Sequence, residues 1–520
     1  MRKILMFFIV FGIFIGIVIG VSNELNTEPI IDDTEVQDNH ELIPKLRLPL
    51  SGVDTYNPLL TQNEHVSDIL KLIYEPLFEY DEQNQLTPCL AQEYFKRGDN
   101  SWVVRIKSNV KWHNGTEFQA SDVVFTVNYL LDETINSVYK ANVKNVLKVE
   151  ELDSETVVFT LNEDDPHIIS KLCFPIISSK NSFVMDDVLN KMPNCLIGTG
   201  PYKYIMEDEN KLLLNINEEW WNIGNYNLEE IELIHYATYA EAVKGFKSTE
   251  VDLIMTDMHS WKEKFGFIGI NSHSFESSIY EVIIPNTSKS ALSESSVRKA
   301  ILHSINRPNI VSNIYEENAT IKDIPIPSYS KYKTESTEYN IEKAKQMLVN
   351  AGWKYTNGAW KKENKTLSFN MLVTENNQEQ LLVAEKIKSD LQEIGIKITI
   401  KKVSWDAMKT NLKNGNFDLA LTTLDIKNEY QLQNIVGTAD IYNYAKYSNL
   451  LMEDILLKLM TSQDEAYDEN MQSFITMYLN EMPYIGLYFK NNTILSNKSV
   501  KGEYKSIASD PYKNIINFYK

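Results

Sequence analysis

Histidines, cysteines and carboxylates are the groups in this 520-residue chain whose types could do chemistry, so their spacing is the first question. His113 stands in Trp112-His113-Asn114-Gly115, but a metal site needs partner ligands, and no H-x-x-x-H or C-x-x-C neighbour accompanies it. It is expected to be a histidine packed at a turn. Cys89, Cys173 and Cys195 are odd in number and lack metal-ligand spacing; they read as buried thiols, with Cys173 and Cys195 the one pair that could join if they meet. Gly198-Thr199-Gly200 suggests a phosphate loop, yet no Gly-Lys-Ser/Thr follows and the segment runs into a strand. Trp220-Trp221 offers rings for stacking on a sugar, although adjacent aromatics more often divide between core and surface. There is no G-x-S-x-G elbow and no H-E-x-x-H helix. Paired acid/base carboxylates leave no mark in spacing, because they usually come from separate elements. A non-catalytic protein without cofactor or metal is the expectation, with an exported hydrolase as the alternative of another class.

The elements that would position such residues begin with a leader. Arg2-Lys3 precedes an apolar run from Ile4 to Val21, so residues 1–22 read as a signal peptide, cleavable after Ser22, or a signal anchor. Residues 23–42 carry acids without Lys or Arg and read as a flexible tether. The formal charge is 51 minus 71, or −20, which argues against nucleic acid as a partner. An apolar content of 43% describes a globular protein, and the length asks for more than one structural unit.

The plainest local pattern is Trp102 to Leu131. Trp102, Val104 and Ile106 alternate as a strand, Asn114-Gly115 is a turn, and Ser121-Asp122 is the expected cap of a helix buried along Val123, Val124, Val127, Leu130 and Leu131. Further on, a helix through Val297, Ala300, Ile301 and Ile305 should end before Pro308, and another should open at Asn340 and stop at Gly352. Strand 367–373, helix 378–394, strand 396–403, helix 405–412 and strand 417–424 form a β-α-β-α-β run, which favours a parallel sheet. Ligands bind beyond the carboxyl ends of such strands, a rule that selects Thr374-Glu375, Ser404-Trp405 and Asp425.

Several blocks then match one family in order: Ile73-Tyr74-Glu75-Pro76-Leu77, Pro88-Cys89-Leu90-Ala91-Gln92, Val110 to Thr116, Ala120 to Phe125, Gly198 to Tyr202, Val297-Arg298-Lys299-Ala300, Asn306-Arg307, Ala344 to Gly352, and Phe417-Asp418. Over about residues 46–520 the chain resembles the extracytoplasmic solute-binding proteins of peptide-type ABC importers, the oligopeptide and dipeptide-binding family. The resemblance implies an α/β fold, a two-lobed periplasmic-binding-protein-like clamp of type II with an additional inserted domain. One lobe would take residues 43–72, 199–285 and 482–520, the inserted domain 73–198, and the second lobe 286–481. The lobes would be joined near Ile283-Ile284-Pro285 and Met482-Pro483-Tyr484.

The resemblance also implies a site between the lobes, at Asn63, Glu64 and His65 on one side and Thr423, Leu424 and Asp425 on the other, with Trp405 matching a tryptophan of some relatives. Peptide-binding relatives hold the ligand amino group with an aspartate where this chain has Lys427, flanked by Asp425 and Glu429. Lipoprotein members carry a cysteine after the apolar run, where this chain has Val21-Ser22. The implied function is an exported, monomeric receptor that captures a peptide and delivers it to membrane permease subunits. A sensor or a carrier of a non-peptide solute such as a metal chelate is the alternative on the same fold.

Overall fold

Alternating apolar residues at Leu46, Leu48 and Leu50, all buried, make β1 (Ile43–Ser51) the first strand of the computed structural model. The structure describes residues 43–180, 196–208, 210–266, 268–427, 431–440 and 442–520. The expected leader at 1–22, the tether at 23–42, Cys195 and Glu429 lie outside these residues. Among the described residues no helix is long and apolar enough to cross a membrane.

After helix α1 (Glu64–Leu70) the chain builds a separate antiparallel sheet from β2 (Ala91–Lys96), β3 (Ser101–Ile106), β4 (Val146–Asp153) and β5 (Thr156–Leu161), in the order β2-β3-β5-β4. Between β3 and β4 lies helix α2 (Ala120–Leu131), which buries Val123, Val127 and Leu130 against this sheet. Each such side chain adds about 1.5–3 kcal/mol over an exposed one. The helix start differs from the expected Ser121-Asp122 cap. Gln119 is the N-cap, and Asp122 lies inside the first turn, where its carboxylate accepts from the Gln119 N–H (3.0 Å) and the Trp112 indole (3.1 Å).

The chain then returns to β1. Strands β6 (Tyr202–Asp208), β7 (Lys211–Ile216) and β8 (Leu228–Tyr236) complete a four-stranded sheet in the order β1-β8-β7-β6, with β1 and β8 parallel. One apolar core runs through this sheet and the β2–β5 sheet, joining Leu46 and Leu214 to Val104 and Phe159.

The largest sheet has seven strands. They are β9 (Leu253–Thr256), β10 (Ile270–Pro285), β11 (Ala319–Ile321), β12 (Ser368–Thr374), β13 (Lys397–Val403), β14 (Leu419–Asp425) and β15 (Ile485–Asn497). Their order is β9-β15-β10-β14-β12-β13, with β11 on β15. Pairing of β12 with β13 and with β14 is parallel, as the β-α-β-α-β pattern predicts. Two long strands span the sheet: the first part of β10 pairs with β15 only, and the part from Ile279 pairs with β14 as well. Their register shifts between Glu276 and Tyr280 and again between Glu281 and Val282. A bulge of this kind concentrates twist and bending at one point.

Helices flank this sheet on both faces. Helix α3 (Ser295–Ser304) and helix α4 (Ile341–Asn350, N-cap Asn340) pack Val297, Ala300, Ala344 and Leu348 with α5 (Gln378–Glu393) on one face. Helix α6 (Trp405–Asn414), α7 (Leu450–Thr461) and α8 (Asp464–Glu481) cover the other with Met408, Leu412, Leu456 and Phe474. Pro308 falls not in a loop but in the first turn of a further helix, Arg307–Asn313, where its missing N–H costs nothing.

Candidate functional site

Helix α1 presents Glu64, Asp68 and Lys71 at spacings of four and three, one face of a helix and its C-cap. Its position is fixed from below. The Asn63 side chain accepts from the His65 and Val66 N–H groups and donates to the carbonyls of Ser51 (3.1 Å) and Gly52 (2.8 Å). His65 places Nε2 3.1 Å from the Pro49 carbonyl, and burial lowers its pKa. Both side chains therefore tie α1 to the end of β1.

Glu64 keeps solvent access, yet desolvation and then the charge of Asp68 raise its pKa; Lys427 works against this and Asp425 adds to it. Asp425 ends β14 and Lys427 follows it, with their charged groups 3.7 Å apart. The structure thus brings Glu64 together with Asp425 and Lys427 from across the chain. Thr423 and Leu424, half-buried, pair in the sheet with Glu281 and Tyr280. Trp405 opens α6 behind its N-cap Ser404 and is 51% exposed, with the Lys409 ammonium 5.8 Å from its ring. Thr374 and Glu375 end β12, where the Glu375 N–H donates to Val403.

Behind Lys71 lies a cavity of about 470 Å³ that the sequence reading did not find. Its walls come from α1, from the region of β2–β5 through Tyr139 and Cys173, from Trp220-Trp221, and from the C-terminal segment through Asp510, Tyr512 and Lys513. Lys71 donates to Asp68 at 2.6 Å; despite desolvation, the charges of Asp68 and Asp510 raise its pKa. Burial raises the Asp510 carboxyl, against the charges of Lys71 and Lys513. Asp68 is in electrostatic reach of both Asp510 and Lys427, so the cavity and the Glu64–Lys427 group form one charged field. Only the helical spacing of Glu64, Asp68 and Lys71 could have pointed here from sequence.

A second charged cluster sits where β10 and β15 change register. Glu281, fully buried, accepts from Gln380 Nε2 at 2.7 Å and lies 3.8 Å from the Lys490 ammonium. Burial pushes its pKa up to about 7. Lys490 donates to Glu379 at 2.9 Å, and His259 Nδ1 lies 3.0 Å from the other Glu379 oxygen. Burial would raise the Glu379 carboxyl, but His259, Lys490 and Tyr315 together hold it at about 2.

The remaining sequence candidates are structural. His113 Nδ1 accepts from the Gly198 N–H, and Nε2 lies 3.0 Å from the Gly200 carbonyl; burial lowers its pKa to about 4. A Cβ on Gly198 would stand 1.8 Å from the Ile73 carbonyl oxygen, and one on Gly200 2.8 Å from it, so these glycines serve close backbone packing. Both indoles of Trp220 and Trp221 donate to the buried Glu75 carboxylate, whose pKa burial raises to about 7. Cys89 and Cys173 are free thiols on the cavity wall. Among the described residues no three His, Cys, Asp or Glu are grouped to hold a metal ion.

Comparison with known proteins adds lineage to this geometry. The family model for bacterial extracellular solute-binding proteins, family 5 (Middle), matches residues 85–434. The chain is similar to the oligopeptide-binding protein AppA of Bacillus subtilis, with 24% identity over 481 residues, 86% of each chain. It is also similar to the nickel-binding protein NikA of Staphylococcus aureus, with 24% identity over 448 residues, 82% of this chain and 85% of that one. The structure of AppA in complex with a nonapeptide superposes with a TM-score of 0.65 at 22% identity, over 92% of this chain and 99% of AppA. HbpA2 from Haemophilus parasuis gives 0.79, also at 22% identity, over 92% of this chain and all of that one. These structural likenesses carry the fold, an α/β two-lobed clamp of the type II periplasmic-binding kind with an additional inserted domain.

Proposed function

The chain belongs to the bacterial extracellular solute-binding proteins of family 5, a family of binding proteins rather than enzymes, and from that premise we propose that it captures oligopeptides between two lobes and delivers them to the permease of an ABC importer. In this reading one lobe comprises residues 43–72, 199–285 and 482–520, carries the inserted domain 73–198, and closes on a second lobe of residues 286–481. Capture involves no turnover, and the receptor acts as a monomer. Residues 4–21 hold it at the outer face of the membrane, or cleavage after Ser22 releases it.

The observation that carries the peptide reading is the alternation of acid and base around one opening. The charges of Asp68, Asp425 and Lys427 act on Glu64, Asp68 pairs with Lys71, and Lys71 and Asp510 line the cavity. A zwitterionic chain is the ligand that such a surface complements, with extended backbone held at strand ends and side chains in the cavity. Bridging both lobes, the ligand would favour the closed state by its differential contacts. The two named relatives divide between oligopeptide and nickel, and one experiment separates these ligands. Native mass spectrometry of protein purified from its source should show retained peptides; a retained metal chelate, or no peptide bound from a mixed pool, would overturn the reading.

A further inference from the structure

We propose that the cavity behind α1 takes a cationic side chain, lysine or arginine, of the bound peptide, with Asp510 as its counter-charge. This rests on the peptide reading above and names the class of peptide. Four carboxylates line the cavity, those of Glu75, Glu79, Glu82 and Asp510, against the two ammonium groups of Lys71 and Lys513. Three of the carboxylates already have partners. Glu75 is held by the two indoles, Glu79 lies 3.5 Å from Lys513, and Glu82 lies 2.8 Å from Lys505. Lys71 in turn is drawn to Asp68. Lys107, which also acts on Glu79, is engaged with the Cys89 carbonyl and lies 4.1 Å from the centre of the Trp221 ring.

Asp510 is left over. It accepts from the Tyr512 backbone N–H, meets Lys71 and Lys513 only through space, and has no ion pair within 4 Å among the described residues. Independently, the Tyr512 side chain on the same wall is 3% exposed and buries a hydroxyl with no hydrogen-bond partner among the described residues. An ammonium or guanidinium supplies what both lack, a positive charge for the carboxylate and a donor for the phenol oxygen. The rest of the wall suits the stem of such a side chain. Rings of Tyr74, Phe78, Tyr139 and Trp221 line the space, offering apolar faces to methylenes and π-faces to a cation. An anionic side chain would meet the excess carboxylates, and a neutral one would leave Asp510 without an ion pair.

Calorimetry on the purified chain tests this with three pentapeptide pools, carrying Lys, Leu or Glu at each scanned position, with free and with acetylated amino termini. The Lys pool should bind about tenfold or more tighter than the Leu pool, with the Glu pool weaker still, as expected for a desolvated charge-assisted contact. Asp510→Asn keeps the acceptor for the Tyr512 N–H and should abolish the preference, bringing the Lys and Leu pools to equal affinity. Equal binding of the pools by the unaltered protein would overturn the cationic assignment and leave the peptide reading standing. A preference that vanishes on amino-terminal acetylation would overturn it in favour of α-amino capture. Failure of every pool to bind would remove the peptide reading and this proposal with it.

Discussion

The charges around Lys490 and those around Asp510 are similar in kind and opposite in arrangement. At the register shift of β10 and β15, Lys490 is shared between Glu281 and Glu379, Gln380 donates to Glu281 and His259 lies beside Glu379, so each carboxylate has a close partner, while Glu281 Oε2 makes no hydrogen bond among the described residues. In the cavity the carboxylates exceed their partners and Asp510 has none close by. Buried charge satisfied by the protein holds structure, whereas buried charge left in excess at a cavity wall is complementary to something that arrives. Substitution at each place should therefore have opposite consequences.

The largest expected effect belongs to the first cluster. Lys490→Met strands two carboxylates beside each other, and denaturant unfolding should show a loss of about 3–5 kcal/mol. A loss below about 1 kcal/mol would mean that solvent already screens the cluster. Next comes pH. Glu281 titrates at about 7 in the folded chain against an ordinary 4.5, so between these values the folded state holds a proton that the unfolded state has released. Stability then falls as pH rises from 4.5 to about 7, by up to about 3 kcal/mol from this group. Glu281→Gln should flatten that fall in part, since Glu75 contributes a slope of the same sign. Glu379, held at about 2, works the other way, its contribution being lost only as pH drops below 4.5. Stability curves of the two proteins from pH 2 to 8 separate these contributions.

Asn63→Ala is of middle size. It removes the α1 cap and the ties to Ser51 and Gly52, and should cost about 1–2 kcal/mol in thermal unfolding. Peptide affinity should fall with it if α1 positions the site; unchanged affinity would separate the helix from recognition. Asp510→Asn has the smallest effect on stability, within about 1 kcal/mol and toward stabilisation, because a carboxyl that burial raises gains from losing its charge. A strong destabilisation would place Asp510 with the first cluster and erase the contrast.

How far the sequence carries follows the same division. The run from β12 to β14 was legible almost to the residue, because alternating strands and a glycine at 395, at φ +87°, each act locally. The start of α2 was misread by one residue or two, since Asp122 caps from inside the turn rather than before it. For the candidate site, family likeness pointed to Glu64 and, more than 350 positions later, to Asp425 and Lys427, a separation that carries no periodic signal. Tyr139 and Asp510 escaped notice for the same reason, and Cys173 was seen only as a buried thiol. Each is unremarkable among its neighbours, and only the joining of the β1 sheet, the β2–β5 region and the C-terminal segment sets them around one space.

Closure of two lobes on a peptide needs a place to bend, and the register shift between Glu281 and Val282, next to the expected crossing at Ile283-Ile284-Pro285, offers one. Small-angle scattering of the purified chain, with and without a peptide pool shown by calorimetry to bind, tests it most directly. A smaller radius of gyration in the bound state is predicted, with the change lost when peptide is removed. An unchanged radius at saturating peptide would contradict the clamp.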